Sequence, residues 1–134
     1  MHRRAYAISL CAAAVLLIAA PAQAGAWNLT LKAPGHHPTA GEPWPIKVGA
    51  HTRSGKPLRA TAIYKFLFNG VVVGTSSPYG RRSTKPYPFK GSFRDTLRWP
   101  KKAVGYRLTF RVVVKARHVN HRRKHVDYWV RVRP

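Results

Sequence analysis

The sequence predicts an all-β fold, an antiparallel β-sandwich of about seven strands behind a cleaved export signal. Three observations predict it. After Gly25 no stretch keeps the apolar period of about 3.6 residues that a helix needs. Apolar residues alternate by two instead, and Gly, Pro and Asn punctuate the chain at short intervals.

The first residues read as the signal. Met1-His2-Arg3-Arg4 is a short basic start, Ala5 to Ala20 is an apolar run, and Pro21-Ala22-Gln23-Ala24 follows. Ala22 and Ala24 are the small residues that signal peptidase needs, so cleavage is expected before Gly25. The apolar run is short for a bilayer span of about 20 residues. Removal of residues 1–24 from the 134 leaves residues 25–134 as one domain, large enough for its own core. The single cysteine, Cys11, leaves with the signal, so no disulfide and no thiolate is expected in the mature domain.

The elements follow in order. Trp27 to Lys32 reads as a first edge strand, and the Pro- and Gly-rich Ala33 to Pro43 as a loop or kinked edge. In Trp44 to His51, Trp44, Ile46, Val48 and Ala50 point one way. Thr52 to Pro57 is a turn. Ala60 to Phe68 is a third strand with Ala62, Tyr64, Phe66 and Phe68 on one face. Asn69-Gly70 supplies the left-handed pair of a tight hairpin turn, and Val71 to Val73 returns as its partner.

Ser76 to Lys90, with Pro78, Pro86 and Pro88, reads as a long loop, and Gly91 to Trp99 as a strand stopped by Pro100. Strict alternation with Phe93 and Leu97 points Asp95 inward, where an unpaired carboxylate is costly. A bulge, or an arginine such as Arg94 or Arg98, is the expected remedy. Tyr106 to Ala116 is the clearest strand, with Tyr106, Leu108, Phe110, Val112 and Val114 on one face. Arg117 to Lys124 is a basic turn, and His125 to Arg133 closes the chain.

Short strands in this number and spacing are the pattern of an immunoglobulin-like sandwich. Ala40-Gly41-Glu42-Pro43-Trp44-Pro45-Ile46-Lys47-Val48 resembles the start of the second strand in bacterial secreted immunoglobulin-like domains. The Ser54-Gly55-Lys56-Pro57-Leu58 turn and the closing Tyr128-Trp129-Val130-Arg131-Val132 are similar to theirs as well. The resemblance spans most of residues 26–133 and implies a β-sandwich also related to fibronectin type III modules, without the antibody-type cysteine pair. It brings no catalytic residue with it.

Enzyme chemistry finds little support. A carboxylate pair for acid and base work needs two acids on one site, and the chain has only Glu42, Asp95 and Asp127, in separate segments. No serine sits in a G-x-S-x-G elbow, and no glycine-rich phosphate loop leads into a helix. No cofactor is expected. Of the histidines, His118, His121 and His125 are spaced to converge near the last hairpin loop, but Arg117, Arg122, Arg123 and Lys124 surround them and repel a divalent cation. Solvated loop histidines are the simpler reading.

The charge is the strongest functional signal. The full chain carries +22, and loss of Arg3 and Arg4 leaves +20. Such a domain attracts polyanions outside the cytoplasm. If the last two strands share a sheet with Ala60–Phe68, their outward positions form a basic stripe of Lys65, Arg107, Arg111, Lys115, Arg131 and Arg133 around Trp129. The hairpin loop adds Arg117, Arg122, Arg123 and Lys124. A second cluster mixes Tyr79, Arg81, Arg82, Lys85, Tyr87, Phe89 and Lys90, a combination suited to anionic chains with stackable faces. The plain alternative for each is a solvated strand face, since edge cations also prevent sheet aggregation. Three expectations result: a secreted or envelope-located module for an anionic surface or polymer, an immunoglobulin-like module for a protein partner, and, more remotely, copper or zinc handling through His118, His121 and His125.

Overall fold

The computed structural model describes residues 26–80 and 84–134; the expected signal peptide, with Arg81 and Arg82, lies outside them. Eight strands follow one another: β1 Trp27–Lys32, β2 Pro43–Thr52, β3 Arg59–Phe68, β4 Val71–Ser76, β5 Tyr87–Lys90, β6 Ser92–Arg98, β7 Arg107–Ala116 and β8 Arg123–Arg131. The only helical piece among the described residues is a single 3-10 turn, Lys101–Ala103. Two antiparallel sheets form a β-sandwich. One has the order β1-β2-β6; the other has the order β4-β3-β7-β8, with β5 also pairing β3.

The predicted alternation produces the core directly. Trp44, Ile46, Val48 and Ala50 of β2 face Ala60, Ala62 and Tyr64 of β3 and Phe110, Val112 and Val114 of β7, all buried. Val130 and Val132 close the layer. Aromatic rings fill one end, where Phe110 meets Trp44 at 5.8 Å, Tyr64 at 5.0 Å and Phe66 at 5.6 Å between centroids. Edge-on and tilted arrangements like these suit the ring quadrupoles.

Three expectations need correction. The segment read as a loop from Ser76 to Lys90 contains the end of β4 and all of β5, which pairs Arg59↔Lys90 through Ala62↔Tyr87. Its Pro88 has no N–H to donate, and it is tolerated because β5 is a short edge strand. Second, the register of β3 against β4 shifts between Phe66 and Leu67. The extra residue is Val73 of β4; β3 keeps its alternation, and Phe68, expected inside, is 36% exposed at the strand's end, on the same face as Tyr64 and Phe66. Its neighbour Tyr106, also expected inside, precedes β7 and packs edge-on to Phe68 at the surface. Third, the last hairpin loop is shorter than read, because Arg123 and Lys124 already belong to β8.

The Asn69-Gly70 turn is as expected: φ is +49° and +78° at its two central residues. Asp95 does point inward and is buried. Among the described residues its partners are a tyrosine and the backbone, and neither Arg94 nor Arg98 bonds to it. The Tyr64 hydroxyl donates to Oδ2 at 2.8 Å, the Tyr79 amide to Oδ2 at 2.9 Å and the Thr96 amide to Oδ1 at 2.7 Å. Burial and the adjacent carboxylate push the Tyr64 hydroxyl far above its usual pKa, which keeps it a donor.

The segment after β1 seals the free edge of β8. Arg131 N–H donates to the His36 carbonyl, Arg133 N–H to Pro38 and Ala40 N–H to Arg133, each at 2.8 Å. One chain segment thus joins both sheets, β1 in the first and residues 36–40 beside the second. The opposite edge, β4, carries Val71, Val72 and Val73 at 64%, 45% and 60% exposure.

Candidate functional site

The strand register decides which charges meet. On the outer face of the larger sheet, Lys65 stands opposite Arg111, Arg107 opposite Arg131, and Lys115 opposite Arg123. Arg59 stands opposite Lys90 where β3 meets β5. The expected stripe is therefore assembled, with Trp129 opposite Thr109 inside it. On the smaller sheet, Lys32, Lys47 and Arg94 form a row straight across β1, β2 and β6. Residues directly opposite across a strand pair bring their Cβ atoms to about 4.5–5.5 Å, and like charges there are destabilising. Lys32, Lys47 and Arg94 also line a shallow groove of about 820 Å³ with Pro34, Pro45 and Tyr79.

Sequence reasoning missed this second row. Its members are each legible as outward residues of alternating strands. Placing them in line needs the pairing register of three strands, which no local pattern supplies.

Of the stripe, one cation is neutralised. Arg111 grips Asp127 with Nε to Oδ1 at 2.7 Å and Nη2 to Oδ2 at 3.0 Å, the one ion pair among the described residues. The guanidinium hydrogen bond holds the Asp127 carboxyl below the usual carboxylate range and raises the Arg111 pKa. The pair's contribution is therefore present above the ordinary carboxylate pKa and is lost as pH falls through the lowered value. Asp127→Asn frees a cation within the stripe. We expect it to cost about 0.5 kcal/mol of stability and to tighten polyanion binding, read by urea unfolding and by titration with heparin.

Trp129 is 37% exposed and tightly framed. Arg107 lies over its ring at 4.8 Å, His36 stacks on it at 4.1 Å, and His37 meets its edge at 5.6 Å. His36 Nδ1–H donates to the Trp129 carbonyl at 2.6 Å. The indole is thus a fixed platform among cations rather than a mobile side chain.

The hairpin loop places Arg117 and Arg122 in solvent, and Arg123, the first residue of β8, is exposed as well. Lys124 behaves differently: its Nζ donates to the Trp27 carbonyl at 2.7 Å and sits 5.0 Å from the Trp27 ring centroid. It plugs one end of the sandwich. The second predicted cluster is also less displayed than expected. Tyr87 and Phe89 are half-buried on β5 and pack edge-on to Phe93 at 5.4 and 4.8 Å. Tyr79 leans on Tyr87 at 5.0 Å and stays exposed. His118 and His121 both adopt left-handed backbone, with φ of +58° and +52°, while His125 sits on β8 opposite Val113. No group of metal-ligating side chains comes together among the described residues.

A further feature has no counterpart in the sequence reading. The open side of the sandwich, between the β3–β4 hairpin and β6, holds an apolar cleft of about 810 Å³. Phe66, Leu97, Trp99 and Leu108 wall it, Tyr64 and Asp95 border it, and Arg98, Lys102 and Tyr106 flank it.

No family model matches the chain, and no curated protein matches it. Seven chains among solved structures match. One is the crystal structure of a DUF4466 family protein from Parabacteroides merdae, with a TM-score of 0.46 and 15% sequence identity over 80% of this chain and 44% of that one. The chain thus spans less than half the length of that protein. No helix among the described residues is long and apolar enough to cross a membrane.

Proposed function

We propose that this protein is an exported, basic, immunoglobulin-like binding module, without enzymatic activity, that holds an anionic polymer or surface of the cell envelope or its surroundings. The observation that carries this reading is the set of directly opposed cations: Lys32, Lys47 and Arg94 on one sheet, and Arg107–Arg131, Lys115–Arg123 and Arg59–Lys90 on the other. Each pairing costs stability in the free protein. An anionic chain lying across the strands removes that cost, because one phosphate, sulfate or carboxylate can sit between two cations. Trp129, framed by Arg107, adds a face for a base or sugar ring.

The immunoglobulin-like part of the reading is supported by strand order. β1-β2-β6 facing β4-β3-β7-β8 matches a seven-strand sandwich whose fourth strand has moved to the second sheet. A protein partner is the second reading, and the bare β4 edge with its valines favours it.

The test is binding of the purified protein to duplex DNA, heparin, an anionic wall polymer and phosphatidylglycerol vesicles across a salt series. For duplex DNA the affinity is expected to fall with a log–log slope of roughly −0.9 per phosphate contact. Retention of one ligand at high salt identifies the physiological chemistry. Failure to bind any of the four at low salt overturns the reading and leaves the protein-partner module.

A further inference from the structure

The basic faces leave the apolar cleft unexplained. It lies on the open side of the sandwich, away from the stripe on the outer sheet face. Phe66 and Phe68 of β3 and Val73 and Gly74 of β4 border it on one side and Leu97 and Trp99 on the other, and Val73 is the extra residue that shifts the β3–β4 register there. Phe66, Leu97, Trp99 and Leu108 form the walls. Ligand sites for small molecules are of this kind: several hundred cubic ångströms, mostly apolar, with a few polar groups.

We infer that the cleft binds a single small amphiphile, an alkyl or aryl body with one acidic head group, body inward and head at the rim. Two charge observations orient it. Asp95, buried in the cleft lining, already accepts from Tyr64 and from two backbone amides, and its carboxylate repels an acid. Lys102, exposed on the 3-10 turn, and Arg98, exposed at the end of β6, both line the cleft, and one Arg98 guanidinium nitrogen donates to the Gly41 carbonyl at 2.8 Å. Trp99 is 3% exposed and contributes to the cleft lining, while its indole Nε1 stays buried with no acceptor among the described residues. An apolar pocket this size also stands out in a chain of net charge +22.

The experiment compares three ligands of one chain length below their micelle concentrations: decanoate, decanol and decyltrimethylammonium. Binding is read by calorimetry and by tryptophan fluorescence. Decanoate is expected to bind best and decyltrimethylammonium worst. Lys102→Glu is expected to weaken decanoate by about tenfold, the size of one rim charge contact, and to leave decanol unchanged. Lys56→Glu, the same charge change on the β2–β3 turn, controls for net charge and should leave the decanoate preference intact. Leu108→Glu, with folding verified by circular dichroism, should abolish binding of both decanoate and decanol. The inference is overturned if none of the three ligands binds, if Lys56→Glu acts as strongly as Lys102→Glu, or if folded Leu108→Glu binds as before. Polyanion binding on the sheet faces is measured separately and is independent of each outcome.

Discussion

Phe110→Ala is expected to lower the unfolding free energy by about 3–5 kcal/mol, the range for removing a fully buried aromatic ring. Phe110 has no exposed surface and touches Trp44, Tyr64, Phe66 and Trp99, rings from three different segments. Aromatic side chains this large cannot close over the gap without moving backbone. The loss is severe because the one cysteine of the chain lies outside the described residues, so no disulfide backs up the packing among them. Small domains have a margin of about 5–15 kcal/mol, so the variant should sit near its unfolding midpoint. Urea unfolding followed by tryptophan fluorescence measures it. Phe110→Leu keeps most of the volume and should cost under about 1.5 kcal/mol. A loss below 1 kcal/mol for the alanine variant would show that the aromatic cluster is not the centre of the core.

The second large effect separates function from stability by sign. Lys47→Glu, Lys115→Glu and Arg131→Glu each place an acid opposite a cation: Lys32 and Arg94, Arg123, and Arg107 respectively. Each new pair replaces a repulsion, so the triple variant should be more stable by about 1 kcal/mol or more. It should also lose on the order of a hundredfold in affinity for duplex DNA at low salt, with a log–log slope reduced by about 2–3 contacts. Arg131 is chosen over Arg107 because Arg107 lies over Trp129 and that platform should persist. Lower stability together with unchanged affinity would mean that the opposed cations neither strain the sheet nor touch the ligand.

Much of the sandwich was legible because half-buried strands write their faces into alternate residues. β1 and β2 begin and end within a residue of their expected bounds, and β7 and β8 emerge as a hairpin with Val112, Val114 and Val130 inside. The inward Asp95 was legible for the same reason. What was not legible depends on pairing rather than pattern. The extra residue Val73 of β4, opposite Phe66 and Leu67, shifts the hairpin register without changing composition. β5 hides behind prolines that normally mark loops, and only its place at an edge reconciles Pro88 with a strand. The stripe was anticipated from outward residues of one sheet, whereas the row Lys32–Lys47–Arg94 needed three strands in register. Lys124 looked like one more loop cation until the loop proved short enough to carry it over Trp27. The cleft belongs to the separation of two layers, a quantity no single strand contains.

The three bare valines of β4 have a colloidal consequence. A strand edge of this kind offers unpaired amides and apolar side chains to any neighbour. In dilute solution the net charge of +22 keeps two copies from approaching. A long polyanion cancels that mutual repulsion while it concentrates many copies along one thread. The β4 edges are then free to meet, so the ligand that neutralises the faces also sets the valency of the assembly. Mixed near charge balance, protein and polymer should separate into a dense phase in which electrostatics gathers the molecules and Val71, Val72 and Val73 give it cohesion.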